Sequence, residues 1–344
     1  MVDSSPLLSL SSSPSLYPRV VSELRTAGCV FAEDEARLIL SAARTDGEAR
    51  NMVARRVAGL PLEHVVGWAE FCGLRIAVDT GVFVPRRRTE FLVGQAAALA
   101  LALPSARRAV VVDLCCGSGA VGAALATVLG DVELHAADID PAAVRCARRN
   151  IGSGGAVYEG DLYEPLPREL RGRIDVLVAN APYVPTGAIA LLPGEARDHE
   201  ARVALDGGSD GLDVQRRVAA AAAEWLAPGG HLLVETSERQ AARTVRTFEA
   251  AGLSAQAVEC DDLDATVVVG TAPAAGTAPT AGTATTAGLA PTAGTGPTVR
   301  PTPTVGPDPA GSTGLLSRGR GPEGPYRDRA VPAGPPRRLP RRPA

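Results

Sequence analysis

V-V-V-D-L-C-C-G-S-G-A-V-G-A-A-L, residues 110–125, writes a strand, a tight loop and a helix start in one line. The β-branched run ends in Gly117, Gly119 and Gly122, spaced as G-x-G-x-x-G. Missing side chains let a ligand approach the backbone, and the free N–H groups of a helix start attract an anionic group. The stretch therefore predicts a βα unit with a binding loop at the carboxyl end of its strand. By itself it suits more than one nucleotide.

Outward from the loop the chain alternates. Strands are expected at 109–113, 132–137, 155–158, 174–179 and 230–235, and helices at 119–129, 141–150, 211–226 and 238–251. Such alternation builds a parallel sheet covered by helices on both faces. Residues 253–260 and 264–270 read as two more strands with only Asp261-Asp262-Leu263 between them. So short a connection makes a hairpin, because parallel strands need a long crossover. The expected fold class is α/β: a Rossmann-like, seven-stranded sheet with one antiparallel edge strand.

Acids mark the carboxyl edge of that sheet, where ligands bind in such folds. Asp138 ends the second strand, 21 residues after Gly117, where an acid would grip ribose hydroxyls. A dinucleotide and S-adenosylmethionine (SAM) both satisfy this much. Asp113, four residues before Gly117, makes D-x-x-x-G-x-G, a spacing nearer to a SAM loop. Asp161 in E-G-D-L ends the third strand, where it could accept from an adenine amino group, and Asn180 ends the fourth. The expected cofactor is SAM, in a class I methyltransferase fold. Its candidate binding residues are Asp113, Cys115, Gly117, Gly119, Asp138, Asp161, Leu162 and Asn180. Asp140, before Pro141, reads instead as a helix N-cap.

Five domain segments follow. Residues 1–16 are Ser/Pro-rich and expected to be disordered. Residues 17–64 read as short helices, with Pro18 at a first helical position and helices near 33 and from 48 to 58. Residues 65–84 read as a β-hairpin linker turning at Cys72-Gly73. The catalytic domain spans 85–270 and opens with a helix from about Thr89 to Leu103. Residues 271–344 are Ala/Thr/Pro/Gly/Arg-rich and expected to be disordered. The net charge of −3 is uneven: nine Arg against three acids give the tail +6 and leave −9 on residues 1–270. Every basic residue is Arg, in keeping with a composition rich in Ala, Gly and Pro. Six scattered Cys without C-x-x-C, and four scattered His, argue against a zinc site. No secretory leader is legible, and the apolar run at 96–103 is far short of the roughly 20 residues a membrane span needs. The expected compartment is the cytoplasm, with reduced thiols.

The fourth strand runs straight into Asn180-Ala181-Pro182-Tyr183. Here the chain resembles the HemK/PrmC-type methyltransferases that modify a glutamine amide in translation release factors, whose turn reads N-P-P-Y. The resemblance covers roughly residues 60–270. Glu70, Phe71 and Gly73 resemble the family's hairpin, V-P-R-R-R-T-E at 84–90 its P-R-P-E-T-E, and D-L-C-C-G-S-G-A its glycine loop. A-L-D-G-G-S-D-G-L at 204–212 is similar to its loop after the catalytic turn. The resemblance implies a class 1 peptide chain release factor as protein partner, docked on the N-terminal helices; no membrane partner is expected, and the acidic balance of residues 1–270 argues against nucleic acid for the catalytic domain. The candidate catalytic residues are Asn180, Ala181, Pro182 and Tyr183. An amide –NH₂ is a poor nucleophile, and two acceptors aimed at its hydrogens would fix its direction. The Asn180 side-chain carbonyl and the Ala181 backbone carbonyl suit that task, with Tyr183 packed on the flat group. Ala181 replaces the first Pro of the family turn, which implies a looser clamp. Arg87-Arg88 replace Pro-Glu and are expected to face solvent or to meet an acidic or RNA partner. Three alternatives stand beside this reading: methylation of an exocyclic amine on RNA or DNA, a dinucleotide-dependent oxidoreductase, and an inactive SAM-binding module.

Overall fold

The structure, a computed structural model, describes residues 16–103 and 107–274. Four helices lead: α1 (Leu16–Thr26), α2 (Ala32–Ala42), α3 (Asp46–Val57) and α4 (Leu62–Val66). They enclose their own apolar cluster of Leu16, Val20, Leu24, Ile39, Met52 and Val53. Leu16 is buried there, so the segment expected to be disordered ends at least one residue earlier, and residues 1–15 lie outside the described residues. Pro18 falls inside the first turn of α1, where a missing N–H costs no helical bond. Arg56 pins this unit together and to the rest of the chain. Its guanidinium reaches Glu35 at 2.6 Å and Glu195 at 2.6 Å.

The linker is a hairpin, as expected, of β1 (Trp68–Phe71) and β2 (Leu74–Ala77). Cys72 and Gly73 both take positive φ, +50° and +72°, as a two-residue turn between right-twisted strands requires. Cys72 N–H donates to Glu90 Oε1 at 2.9 Å, which ties the turn to α5 (Glu90–Leu101). Asn150 stitches the other end: its Nδ2 donates to Ala77 O and to Ser118 O, both at 2.8 Å.

The sheet-bearing unit continues with β3 (Ala109–Leu114), α6 (Ala120–Leu129), β4 (Val132–Asp138), α7 (Pro141–Ile151), β5 (Gly155–Glu159) and β6 (Ile174–Ala179). Then come α8 (Gly194–His199), α9 (Asp213–Trp225), β7 (Leu226–Thr236), α10 (Glu238–Ala250), β8 (Ser254–Cys260) and β9 (Ala265–Thr271). The strand order is β5-β4-β3-β6-β7-β9-β8. From β3 the chain moves outward to β4 and β5, then returns to β6 on the other side of β3. The β3/β6 boundary is therefore the topological switch point where such folds bind ligands. Val111, Val176, Val178 and Leu233 face one apolar cluster, shared with α5, α6 and α7; Val112, Leu177, Leu232 and Val234 face the other, shared with α9 and α10.

Three expectations need correction. The antiparallel strand is β9, and it lies between β7 and β8 rather than at the edge. The side chains explain the placement: β9 (A-T-V-V-V-G-T) is buried almost throughout, whereas β8 (S-A-Q-A-V-E-C) is largely exposed and takes the rim. The sheet also outlasts Gly270. Thr271 pairs with His231 and with Ser254, and Ala272 N–H donates to Gly230 O at 2.9 Å. The expected tail thus starts inside the sheet, and its remainder, 275–344, lies outside the described residues. Finally, residues 186–204, given no element from the sequence, hold α8 between two 3₁₀ stretches, Thr186–Leu191 and Arg202–Ala204.

Candidate active site

Leu114 of β3 pairs with Ala179 of β6, so the glycine loop and the Asn180 turn leave adjacent strands at the same level. Gly117 (φ +54°) and Gly119 (φ +77°) hold backbone angles that L side chains rarely adopt. A Cβ on Gly119 would come within 2.9 Å of Ala147 of α7, whereas one on Gly117 would meet nothing within 4 Å. Gly119 is thus fixed by packing and Gly117 by backbone angle beside open space. Cys115 (φ +54°) and Leu162 (φ +50°) add two strained turns at the ends of β3 and β5.

The predicted acids divide into different jobs. Asp113 is 1% exposed and its Oδ2 accepts the Gly122 N–H at 2.9 Å. It sits beneath the loop and holds the start of α6, a supporting place rather than the ligand contact expected from D-x-x-x-G-x-G. Burial pushes its carboxyl up to about 7, offset in part by the Gly122 hydrogen bond. Asp138 ends β4, and its Oδ2 accepts the Gly117 N–H at 2.8 Å while Oδ1 accepts from Asp140 N. Burial raises its carboxyl as well. Asp161 is partly exposed after β5, with Oδ2 on Arg217 at 2.6 Å. Asp140 caps α7 through Ala142 N–H at 2.8 Å, as expected.

At the turn, Asn180 Nδ2 is placed 3.5 Å from Thr89 Oγ1. With the amide's nitrogen assigned to Thr89, its carbonyl is the end left for an incoming donor. Ala181 is 1% exposed. Tyr183 donates its hydroxyl to Glu235 Oε1 at 3.3 Å and its backbone carbonyl accepts from Gln240 Nε2 at 2.9 Å. Burial and the neighbouring Glu235 push the Tyr183 phenol well above its ordinary range, so it stays protonated. The 204–212 loop buttresses the turn. Gly207 N–H donates to Val184 O, and a Cβ on Gly207 would lie 2.7 Å from Pro182 O and 2.8 Å from Tyr183 Cα.

Arg87 is exposed, and Arg88, with a side chain 39% exposed, meets an acid: its Nε lies 3.2 Å from Glu235 Oε1 and its guanidinium 5.9 Å from the Tyr183 ring centroid. The partner is an acid of this chain. Thr89, Glu235 and Gln240 were all missed in the sequence, because each joins the site across long chain separations. The one local signal is that Thr89 and Glu90 close the V-P-R-R-R-T-E stretch.

Residues 74–258 match the family model of the methyltransferase small domain. A release factor glutamine methyltransferase of Mycolicibacterium smegmatis is 41% identical over 237 residues, 67% of this chain and 82% of the relative. Its Geobacter sulfurreducens counterpart is 41% identical over 206 residues, 59% of this chain and 70% of the relative. A 4-amino-L-phenylalanine/4-methylamino-L-phenylalanine methyltransferase of Streptomyces pristinaespiralis is 38% identical over 203 residues, 58% and 69%. The cofactor is SAM, and the residues present fit it: a loop open above Gly117, an acid at the end of β4, and the uncharged side chains of Cys115 and Leu162 at positive-φ turns. The chain is a SAM-dependent methyltransferase and belongs to the release factor glutamine methyltransferase family.

Proposed function

We propose that the protein methylates the side-chain amide nitrogen of a glutamine in a class 1 peptide chain release factor. The observation that carries the reading is the Asn180 amide, oriented by Thr89 one strand away from the glycine loop. SAM, when bound, supplies an electrophilic methyl group. The Asn180 side-chain carbonyl and the Ala181 backbone carbonyl accept the two amide hydrogens, which aims the nitrogen and favours the positive charge that develops on it. Tyr183, kept neutral by burial, packs against the flat amide, and Gly207 keeps its backbone in register. Asn suits this place better than Asp, whose charge would be costly to desolvate. Cys115, Gly117, Gly119, Asp138, Asp161 and Leu162 would hold the cofactor, with Asp113 supporting the glycine loop through Gly122. The N-terminal helices serve as the docking surface for the protein acceptor. A cytoplasmic place of action follows from that acceptor.

The net charge of −9 on residues 1–270 disfavours a nucleic-acid acceptor, which would call for clustered cations. A second reading has one observation in its favour. Arg88, drawn to Tyr183 by Glu235, places a cation beside the turn, as a carboxylate-bearing aromatic amine would suit. Transfer of labelled methyl from SAM to purified release factor and to 4-aminophenylalanine, in parallel, separates the two. Label on the release factor, lost in Asn180→Ala, is the expected outcome; label on the small amine alone would replace the first reading by the second.

A further inference from the structure

Val234 of β7 pairs with Ala179 of β6, so the next residues, Glu235 and Asn180, are neighbours across adjacent strands, about 5 Å apart. Both turn to the sheet face that carries residues 87–89, where Asn180 meets Thr89 and Glu235 meets Arg88. Glu235 is 1% exposed. Its Oε1 takes two donors, the Tyr183 hydroxyl and Arg88 Nε. Its Oε2 is buried and has no hydrogen-bond partner. A carboxylate oxygen left so is unfavourable in the resting protein. The other buried acid with an orphan oxygen, Glu200, is held at Val84 N and Arg86, on the linker side. Glu235 alone of the two touches the catalytic turn.

We propose that Glu235 is a specificity-determining residue with two separate oxygens. Oε1 holds Tyr183 and Arg88 in place; Oε2 accepts a further N–H of the acceptor, beyond the two amide hydrogens that Asn180 and Ala181 receive. A peptide supplies such a donor from the backbone beside its glutamine. The orphan oxygen thus gains its partner only when an acceptor of that class arrives, which discriminates against planar amines that carry no second donor. The inference rests on the amide reading above.

The test is Glu235→Gln. Its single carbonyl oxygen can keep the donors of Tyr183 and Arg88, and its –NH₂ then opposes the acceptor's N–H. The expected result is at least a tenfold rise in KM for release factor with kcat within about threefold, and with SAM affinity and melting temperature retained. A KM within threefold of wild type overturns the proposal, and so does joint loss of SAM binding and melting temperature, the mark of a merely structural acid. If the wild type labels 4-aminophenylalanine only, the amide reading falls, and Glu235 is judged by the same KM ratio on that acceptor, whose α-amino group is the second donor. If it labels neither, the amide reading again falls alone, and ¹³C-tyrosine spectra decide. The Tyr183 ring signal, assigned with Tyr183→Phe, must shift in Glu235→Ala, which removes the acceptor that Glu235→Gln keeps; an unmoved signal overturns the tether.

Discussion

Thr89 and Asn180 are joined by a hydrogen bond of 3.5 Å between residues far apart in the chain, and Thr89 is 2% exposed. A buried hydroxyl at that point tethers the Asn amide. Replacing Thr89 by Val keeps the shape and removes the tether, so kcat should fall about tenfold while SAM affinity holds, as read by initial rates of labelled transfer and by calorimetry. Asn180→Ala removes the acceptor itself and should cost on the order of 10²-fold in kcat or more. Asp113 carries a different signature. Its carboxyl is raised to about 7 by burial, so the folded chain keeps a proton that the unfolded chain releases from about pH 4 upward. The stability this lends is full below the ordinary carboxyl range and is lost as pH rises toward 7, with a slope of at most about 1.4 kcal/mol per pH unit. Asp113→Asn should flatten that slope, measured as the difference in unfolding free energy between variant and wild type from pH 4.5 to 7.5. The sequence marks Asp113, Asn180 and Tyr183 because they sit inside short motifs. It places Thr89 in the 84–90 stretch without showing its partner, and does not mark Glu235 or Gln240; the roles of all three exist only once separate segments are folded together.

At the scale of elements, the loop at 204–212 shows how a glycine can serve a site it does not enter. Gly207 lies against Pro182 and Tyr183 so closely that a methyl group at 2.7 Å from a backbone oxygen cannot be accepted without moving the turn. Gly207→Ala should therefore lower kcat/KM at least tenfold and reduce the melting temperature. Gly117→Ala offers the contrast: nothing in the protein opposes its methyl, so the backbone cost is about 1–2 kcal/mol. Any loss of SAM affinity beyond about 30-fold then reports the ligand itself at that spot. The helices and parallel strands were legible because each carries its own period and its own Gly or Pro boundary. The place of β9 was less so, because a hairpin dictates that one strand is antiparallel but not which of the two faces solvent. The continuous V-V-V-G of β9 beside the polar alternation of β8 was the available signal. Residues 186–204 have no long apolar period, and their short 3₁₀ and α turns are held by contacts such as Thr186 N–H to Gly208 O rather than by propensity.

Among the described residues no helix is long and apolar enough to cross a membrane, and the sheet closes only beyond the boundary that composition suggests. Low-complexity sequence begins near 271, yet Thr271 completes two strand pairs, its Oγ1 lies 3.0 Å from His231 Nδ1, and Gly229 N–H donates to Pro273 O at 3.2 Å. Ala272 is buried against the cluster that holds Leu253 and Phe248. The physical edge of the catalytic unit is thus set by hydrogen bonds that any residue type can make, which is why composition places it a few residues early. Two truncations separate the accounts. A chain ending after Ala274 keeps every one of these contacts and should retain the melting temperature and the methyl transfer rate of the full chain. A chain ending after Gly270 loses about three hydrogen bonds, each worth about 1 kcal/mol net, and the burial of Ala272. Its unfolding free energy should drop by about 3 kcal/mol, read by urea titration, with SAM affinity at the opposite, carboxyl edge of the parallel strands little changed at low temperature. Equal stability of the two truncations would return the boundary to Gly270. A loss already present in the chain ending after Ala274 would instead assign a stabilising role to the basic segment that follows it.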